Sequence, residues 1–261
     1  MFSLINSELR KILCKKRVLI MWGLGLLLSS ILVGFDSSYP NYMLENYASL
    51  FDKTYGIAPF IGLIMMVMIS SVYTTEYNSN MTGLINASKN GKKKVVIAKS
   101  IAGSISTSLV VLSMYLVMVY SAISHSDFKG LDIPLKNLWY FGNSGSNITV
   151  LQMIIILGIT LILGCILFTQ VTLALSAISN NAVMPFIVGG LFMGLPWIVI
   201  NFLPQSIQKF GGLTPIWGMF SCQLVRYKSP IFVIPVLIVL FVISITVLPM
   251  ITYKKFASEK R

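Results

Sequence analysis

Few residues in this sequence could do covalent or acid–base chemistry. The one histidine, His125, stands two positions before Asp127 at the end of an apolar run. With no nucleophile beside it, that pair reads as a surface hydrogen bond rather than a catalytic dyad. Cys14, Cys165 and Cys222 are far apart and odd in number, which argues against a disulfide framework or a zinc site. No carboxylate cluster could hold another metal. Gly91-Lys92 lacks the upstream glycine of a G-x-x-x-x-G-K-[ST] phosphate loop and is followed by Lys93. The Asn147-Ile148-Thr149 sequon matters only in a glycosylating secretory pathway. The expectation is a chain that is not an enzyme and binds no cofactor of its own.

Composition says where such a chain lives. Of 261 residues, 56 % are hydrophobic and 11 % charged, against about 25 % charged in a soluble domain. One aqueous core of this size cannot hide that much apolar surface. The net charge is +12, but the cations cluster at the ends of apolar runs instead of forming one basic face. That favours a membrane surface and argues against nucleic acid.

A bilayer core about 30 Å thick needs about 20 apolar residues per helix. Six stretches qualify, at residues 18–35, 57–75, 98–124, 150–178, 182–203 and 230–253. The fold class expected is therefore all-α integral membrane, with six transmembrane helices and an N-terminal amphipathic interfacial helix over 1–17. A signal peptide is the lesser reading of the first span, since no small-residue cleavage site follows it. Fourteen of the twenty Lys and Arg fall on one side: Arg10, Lys11, Lys15, Lys16 and Arg17, then Lys89, Lys92, Lys93, Lys94 and Lys99, then Lys254, Lys255, Lys260 and Arg261. Both termini, the loop 76–97 and the tail 254–261 are thus expected to be cytoplasmic. Loops 36–56, 125–149 and 204–229 fall outside. Lys99, at the end of the third span, is expected to snorkel to the headgroups.

Two cytoplasmic elements carry pattern. Phe2, Ile5, Leu9, Ile12 and Leu13 share one helical face, suited to lying among anionic lipid headgroups or serving only as a topology-setting flank. In the loop, Met81, Leu84, Ile85 and Ser88 follow helical spacing. Asn90-Gly91 signals a turn, and Lys92, Lys93 and Lys94 follow. This is either a short helix for a partner to push on or a solvated basic loop.

These residues resemble those of the ABC-2-type permeases, the membrane subunits of ABC exporters, and in particular the small permeases of lantibiotic-type immunity and peptide export in Gram-positive bacteria. The similarity rests on Glu8-Leu9-Arg10-Lys11, on Glu76 closing the second span, on Gly83-Leu84 and Ser88-Lys89-Asn90-Gly91-Lys92-Lys93, and on Val96-Ile97-Ala98-Lys99. It implies that Glu76, Met81, Leu84, Ile85, Lys89, Gly91, Lys92, Lys93 and Lys94 dock a separate ATPase subunit, which would bind the ATP and magnesium. It also implies a second permease copy or a related permease, and a multi-pass location in the bacterial cell membrane. The implied cargo is hydrophobic or amphipathic, such as an antimicrobial peptide.

The remaining spans are read for transport. No ionisable residue sits at mid-membrane, which argues against proton coupling. Ala102, Gly103, Ser104, Ser106, Thr107 and Ser108, the Gly190/Gly194 pair, and Gly25 with Ser29 are candidate helix-contact faces. Kinks are expected at Pro185, Pro196, Pro235 and Pro249. Residues 204–229 read as short helices at the outer leaflet, with Pro196, Trp197, Trp217 and Phe220 as a possible substrate gate or an ordinary aromatic belt. The rival readings are a secondary transporter or channel, and a non-transporting scaffold.

Overall fold

The computed structural model describes residues 1–33, 42–88, 91–142 and 144–256. Residues 34–41, which include the end of the expected first span, Lys89, Asn90, Asn143 and the tail from 257 lie outside them. Helix α1 (Phe2–Leu13) stops at Cys14, because Lys15 takes an extended conformation, and α2 (Lys16–Leu32) starts directly after it. Thus the basic segment 1–17 holds a complete helix and the first two residues of another. Next come α3 (Tyr42–Gly56), α4 (Ala58–Ile69), α5 (Thr74–Asn78), α6 (Thr82–Ala87) and α7 (Gly91–Ser124). Then follow α8 (Val150–Ile178), α9 (Val183–Val199), the short α10 (Gln205–Gln208), α11 (Pro215–Met219) and α12 (Cys222–Arg226), and finally α13 (Val233–Lys255).

The described chain is all-α, and four of its helical segments are long and apolar enough to cross a bilayer: 58–78, 91–124, 150–178 and 233–255. The first combines α4 and α5 across a tight turn at residues 70–73. The other two expected spans are shorter. Both α2 and α9 have 17 residues, about 25 Å at 1.5 Å per residue. Helix α9 gives way to a 3₁₀ turn at Ile200–Phe202, three residues after the Pro196-Trp197 step. Pro196 and Pro249 lie inside helices. Pro185 and Pro235 instead fall in first turns, where no intrahelical donor is lost and no kink follows.

Helix α8 begins at Val150, where the apolar run starts. Thr149 and Gln152 form a reciprocal capping box. It packs along α7 through a polar ladder. Ser100 Oγ donates to Gln170 Oε1 at 2.9 Å, Gln170 Nε2 donates to Ser104 Oγ at 3.0 Å, and Thr107 and Thr169 hydroxyls meet at 2.9 Å. The small-residue face of α7 is therefore filled by its own chain. So is that of α2, where Gly25 and Ser29 are buried and Met114 lies against Gly25.

Glycine against methionine recurs. Met193 of α9 sits over Gly62 of α4, Met66 of α4 over Gly189 of α9, and Met219 of α11 over Gly164 of α8. The packing glycine of α9 is Gly189, one position before the expected Gly190/Gly194 pair. Nothing lies within 4 Å of where a Cβ of Gly194 would be.

The end of the bundle away from α1 is capped by helical structure where a loop is expected. Within 36–56, α3 buries Tyr47, Leu50, Phe51 and Thr54. Tyr47 donates to the Lys129 carbonyl at 2.6 Å. Residues 204–229 do form short helices, as expected.

Candidate functional site: a buried ion cluster beneath an exposed helix

The strongest polar constellation lies at the basic end, and Lys99 is its centre. The lysine does not snorkel: it is 2 % exposed. All three of its ammonium donors are used. Nζ lies 2.8 Å from Glu8 Oε2, 2.9 Å from Glu76 Oε1 and 3.2 Å from the Val72 carbonyl. That carbonyl belongs to the turn joining α4 to α5. Lys11 closes the cluster, 2.7 Å from Glu8 Oε1 and 4.0 Å from Glu76 Oε1. Two carboxylates and two ammonium groups balance, which is what makes so buried a lysine tolerable.

Burial pushes the Glu8 carboxyl up, but the charge of Lys99 and the hydrogen bonds of Lys11 and Lys99 outweigh it and hold it below the usual carboxylate range. The hydrogen bond to Glu8 raises Lys11 against its partial burial. Lys15 is lowered, first by burial and then by the Lys99 charge. It donates to Ser71 Oγ at 2.9 Å.

The cluster ties five helices together. Glu8 and Ile12 form the buried ridge of α1, which packs on α7, while Phe2 is 83 % exposed. Below Lys99, its ammonium stands 5.7 Å from the ring of buried Tyr73. Phe256, just past α13, packs on Tyr73 at 4.7 Å and on Tyr77 at 5.8 Å. The end of α8 joins through Ser176, which donates to the Ser70 carbonyl at 2.8 Å, and through the Ala177 carbonyl, which accepts from Tyr77 at 2.7 Å.

From this hub hangs the segment for which partner docking was expected. Asn80, with φ 52°, turns the chain from α5 into α6. Met81 and Leu84 are exposed, 42 % and 67 %, while Ile85 packs partly against the core. At the other end Gly91 begins α7. A Cβ there would strike the Ser88 side chain and come within 2.5 Å of the Ile85 carbonyl oxygen. Lys92 lies over the Tyr253 ring at 5.2 Å, and Lys93 and Lys94 are exposed. Of the expected docking set, Glu76 alone turns inward to the ion cluster, and Lys89 lies outside the described residues. Among the described residues, the basic stretch is the first turn of α7 rather than part of a loop.

At the far end the four expected gate residues do not act alone. Trp197 donates from Nε1 to the Tyr55 carbonyl, and Trp217 from Nε1 to the Tyr55 hydroxyl, each at 3.2 Å. Phe220 meets the Tyr55 ring edge-on at 5.6 Å. Burial, opposed by the Trp217 hydrogen bond, pushes the Tyr55 phenol up to about 12. Trp217 and Phe220 are fully buried, and Pro196 half-buried, so this face is closed. Trp217 stacks on Tyr227 at 4.9 Å, and Arg226 lies 4.2 Å over the Tyr140 ring. The sequence reading missed Tyr55, the residue on which three of its four gate positions converge.

His125 donates from Nδ1 to the Ser121 carbonyl at 2.7 Å. Among the described residues no three His, Cys, Asp or Glu side chains are grouped to hold a metal.

The chain matches no family model, no curated protein and no solved structure.

Proposed function

We propose that this chain is the membrane subunit of an ABC-2-type exporter, working with a separate ATPase. The single observation that carries the reading is the attachment of α6. A short helix with an apolar face open to solvent is fastened, five residues before its exposed Met81, to Glu76 of a buried ion cluster. A push on α6 therefore reaches α5, α1 and α7 together, because Glu76, Glu8 and Lys99 cannot separate without stranding a buried charge. In this reading the basic end is cytoplasmic, α2 and α9 complete six spans, and two permease chains with two ATPase subunits form the working unit. ATP hydrolysed by the partner rocks α5 and α7, and a hydrophobic or amphipathic cargo, an antimicrobial or other membrane-active peptide, leaves past the Tyr55 cluster in the bacterial cell membrane.

The test is co-purification of an ATP-binding-cassette ATPase with the tagged chain from its host membranes. Replacing residues 81–88 and 91–94 with a Gly/Ser linker should abolish co-purification while the permease still accumulates in the membrane. Leu84→Asp should weaken capture without disturbing the fold. Unchanged capture after the full replacement would refute ATPase docking at this segment.

A further inference from the structure

A second site lies on the opposite flank of the hub. A groove of about 600 Å³ opens between the start of α2, the end of α4 and the start of α9. Its lining includes Lys15, Lys16 and Arg17, with Ser70 and Ser71 on the facing wall, and no acidic side chain is among the residues that line it. Lys15 is held in place by Ser71. Lys16 and Arg17 are exposed and make no ion pair among the described residues. The first residues of α2 and α9, both 17-residue helices, also face it. The positive ends of these two helices add to the same field.

An apolar cavity adjoins the groove at Phe186. Phe186 lines both, and beyond it about 220 Å³ lies between α4 and α9, walled by Leu63, Met66, Gly190, Gly194 and Trp197. From Phe186 to Trp197 is eleven residues, about 16 Å along the helix axis. That is close to half the hydrocarbon core, the depth of one acyl chain in one leaflet.

We propose that this pair of cavities seats one anionic phospholipid. Its phosphate lies among Lys15, Lys16, Arg17 and the two serines, and an acyl chain runs past Phe186 along the glycine face of α9. Two features together favour a lipid over a free anion: the exposed Lys16 and Arg17 stand where α2 begins its apolar run, and the adjoining apolar cavity has the length of a lipid tail. The inference is independent of ATPase docking, because none of its lining residues lies in α6 or forms an ion pair of the cluster.

The test uses the full-length protein in detergent, with native mass spectrometry as the readout and phosphatidylglycerol, phosphatidylcholine and inorganic phosphate as probes. Phosphatidylglycerol should be retained in preference to phosphatidylcholine, and excess phosphate should not displace it. Lys16→Gln and Arg17→Gln should each weaken its binding about fivefold. Gly194→Leu, which meets no atom within 4 Å at Cβ, should weaken it with no change of charge. Equal retention of the two lipids, displacement by phosphate, or unchanged binding in all three variants would overturn the proposal.

Discussion

Glu8 and Lys99 stand 91 positions apart in sequence, yet their side chains meet at 2.8 Å with almost no contact with solvent. The short α1 and α7, a helix long and apolar enough to cross a bilayer, are thereby joined by full charges. Such a pair adds little net stability over a well-packed apolar one, but breaking it on one side is costly. The pair therefore acts as a register pin, and single and compensated substitutions should behave very differently.

Glu8→Ala should destabilise the protein by about 3 kcal/mol, because it leaves Lys99 buried with one carboxylate. The triple variant Glu8→Gln, Glu76→Gln, Lys99→Met should recover most of that loss. Thermal unfolding in detergent measures both. A triple variant no more stable than Glu8→Ala would show that the cluster is not the source of the effect.

Acid should release α1. The Glu8 carboxyl is held below its ordinary value of 4.5 in the folded protein. Its contribution is thus fully present above that value and lost as pH falls through the lower folded one. Lys11 has the opposite sign, lost as pH rises through its raised value; being 61 % exposed, it is screened and contributes little. The difference in Tm between the wild type and Glu8→Gln should stay constant down to about pH 5 and shrink below about pH 4. A difference that grows with acid would contradict this.

Cys14 is exposed, whereas Cys165 and Cys222 are buried. The natural chain therefore carries its own reporter of sidedness. A membrane-impermeant maleimide should label one thiol per chain in inverted vesicles and none in intact cells. Labelling in intact cells would place α1 outside and reverse the proposed topology.

Glycine positions should separate sharply. At Gly164 an added Cβ would overlap Met219 from its Cα outward, whereas at Gly194 it meets nothing. Gly164→Ala should cost about 1–3 kcal/mol through overpacking, and Gly194→Ala should be nearly neutral. Melting temperatures decide this, and similar losses at both would refute the packing described.

The sequence showed best what is local. The bounds of α8 were readable because its apolar run is unbroken. Helix α3 was overlooked although Tyr47, Leu50, Phe51 and Thr54 repeat at helical spacing; two acids in it, Glu45 and Asp52, made the segment look like loop. Lys99 was misread because its partners come from elsewhere in the fold. Glu8, one turn before Ile12, borders the apolar face of α1, and a lone acid in that position was the available hint. Tyr55 carried no local signal, since its role arises only where α3, α9 and α11 meet.

The methionines seated on glycines have a chemical consequence of their own. An unbranched thioether can follow a receding glycine through several rotamers, so these seams tolerate small sliding that branched side chains would resist. The same sulfur atoms are open to oxidation, and one added oxygen turns a pliant filler into a polar wedge. Peptide mapping after mild hypochlorite should find sulfoxide at Met66, Met114, Met193 and Met219 only as the bundle loosens. Oxidant stress would then strike this protein at its joints.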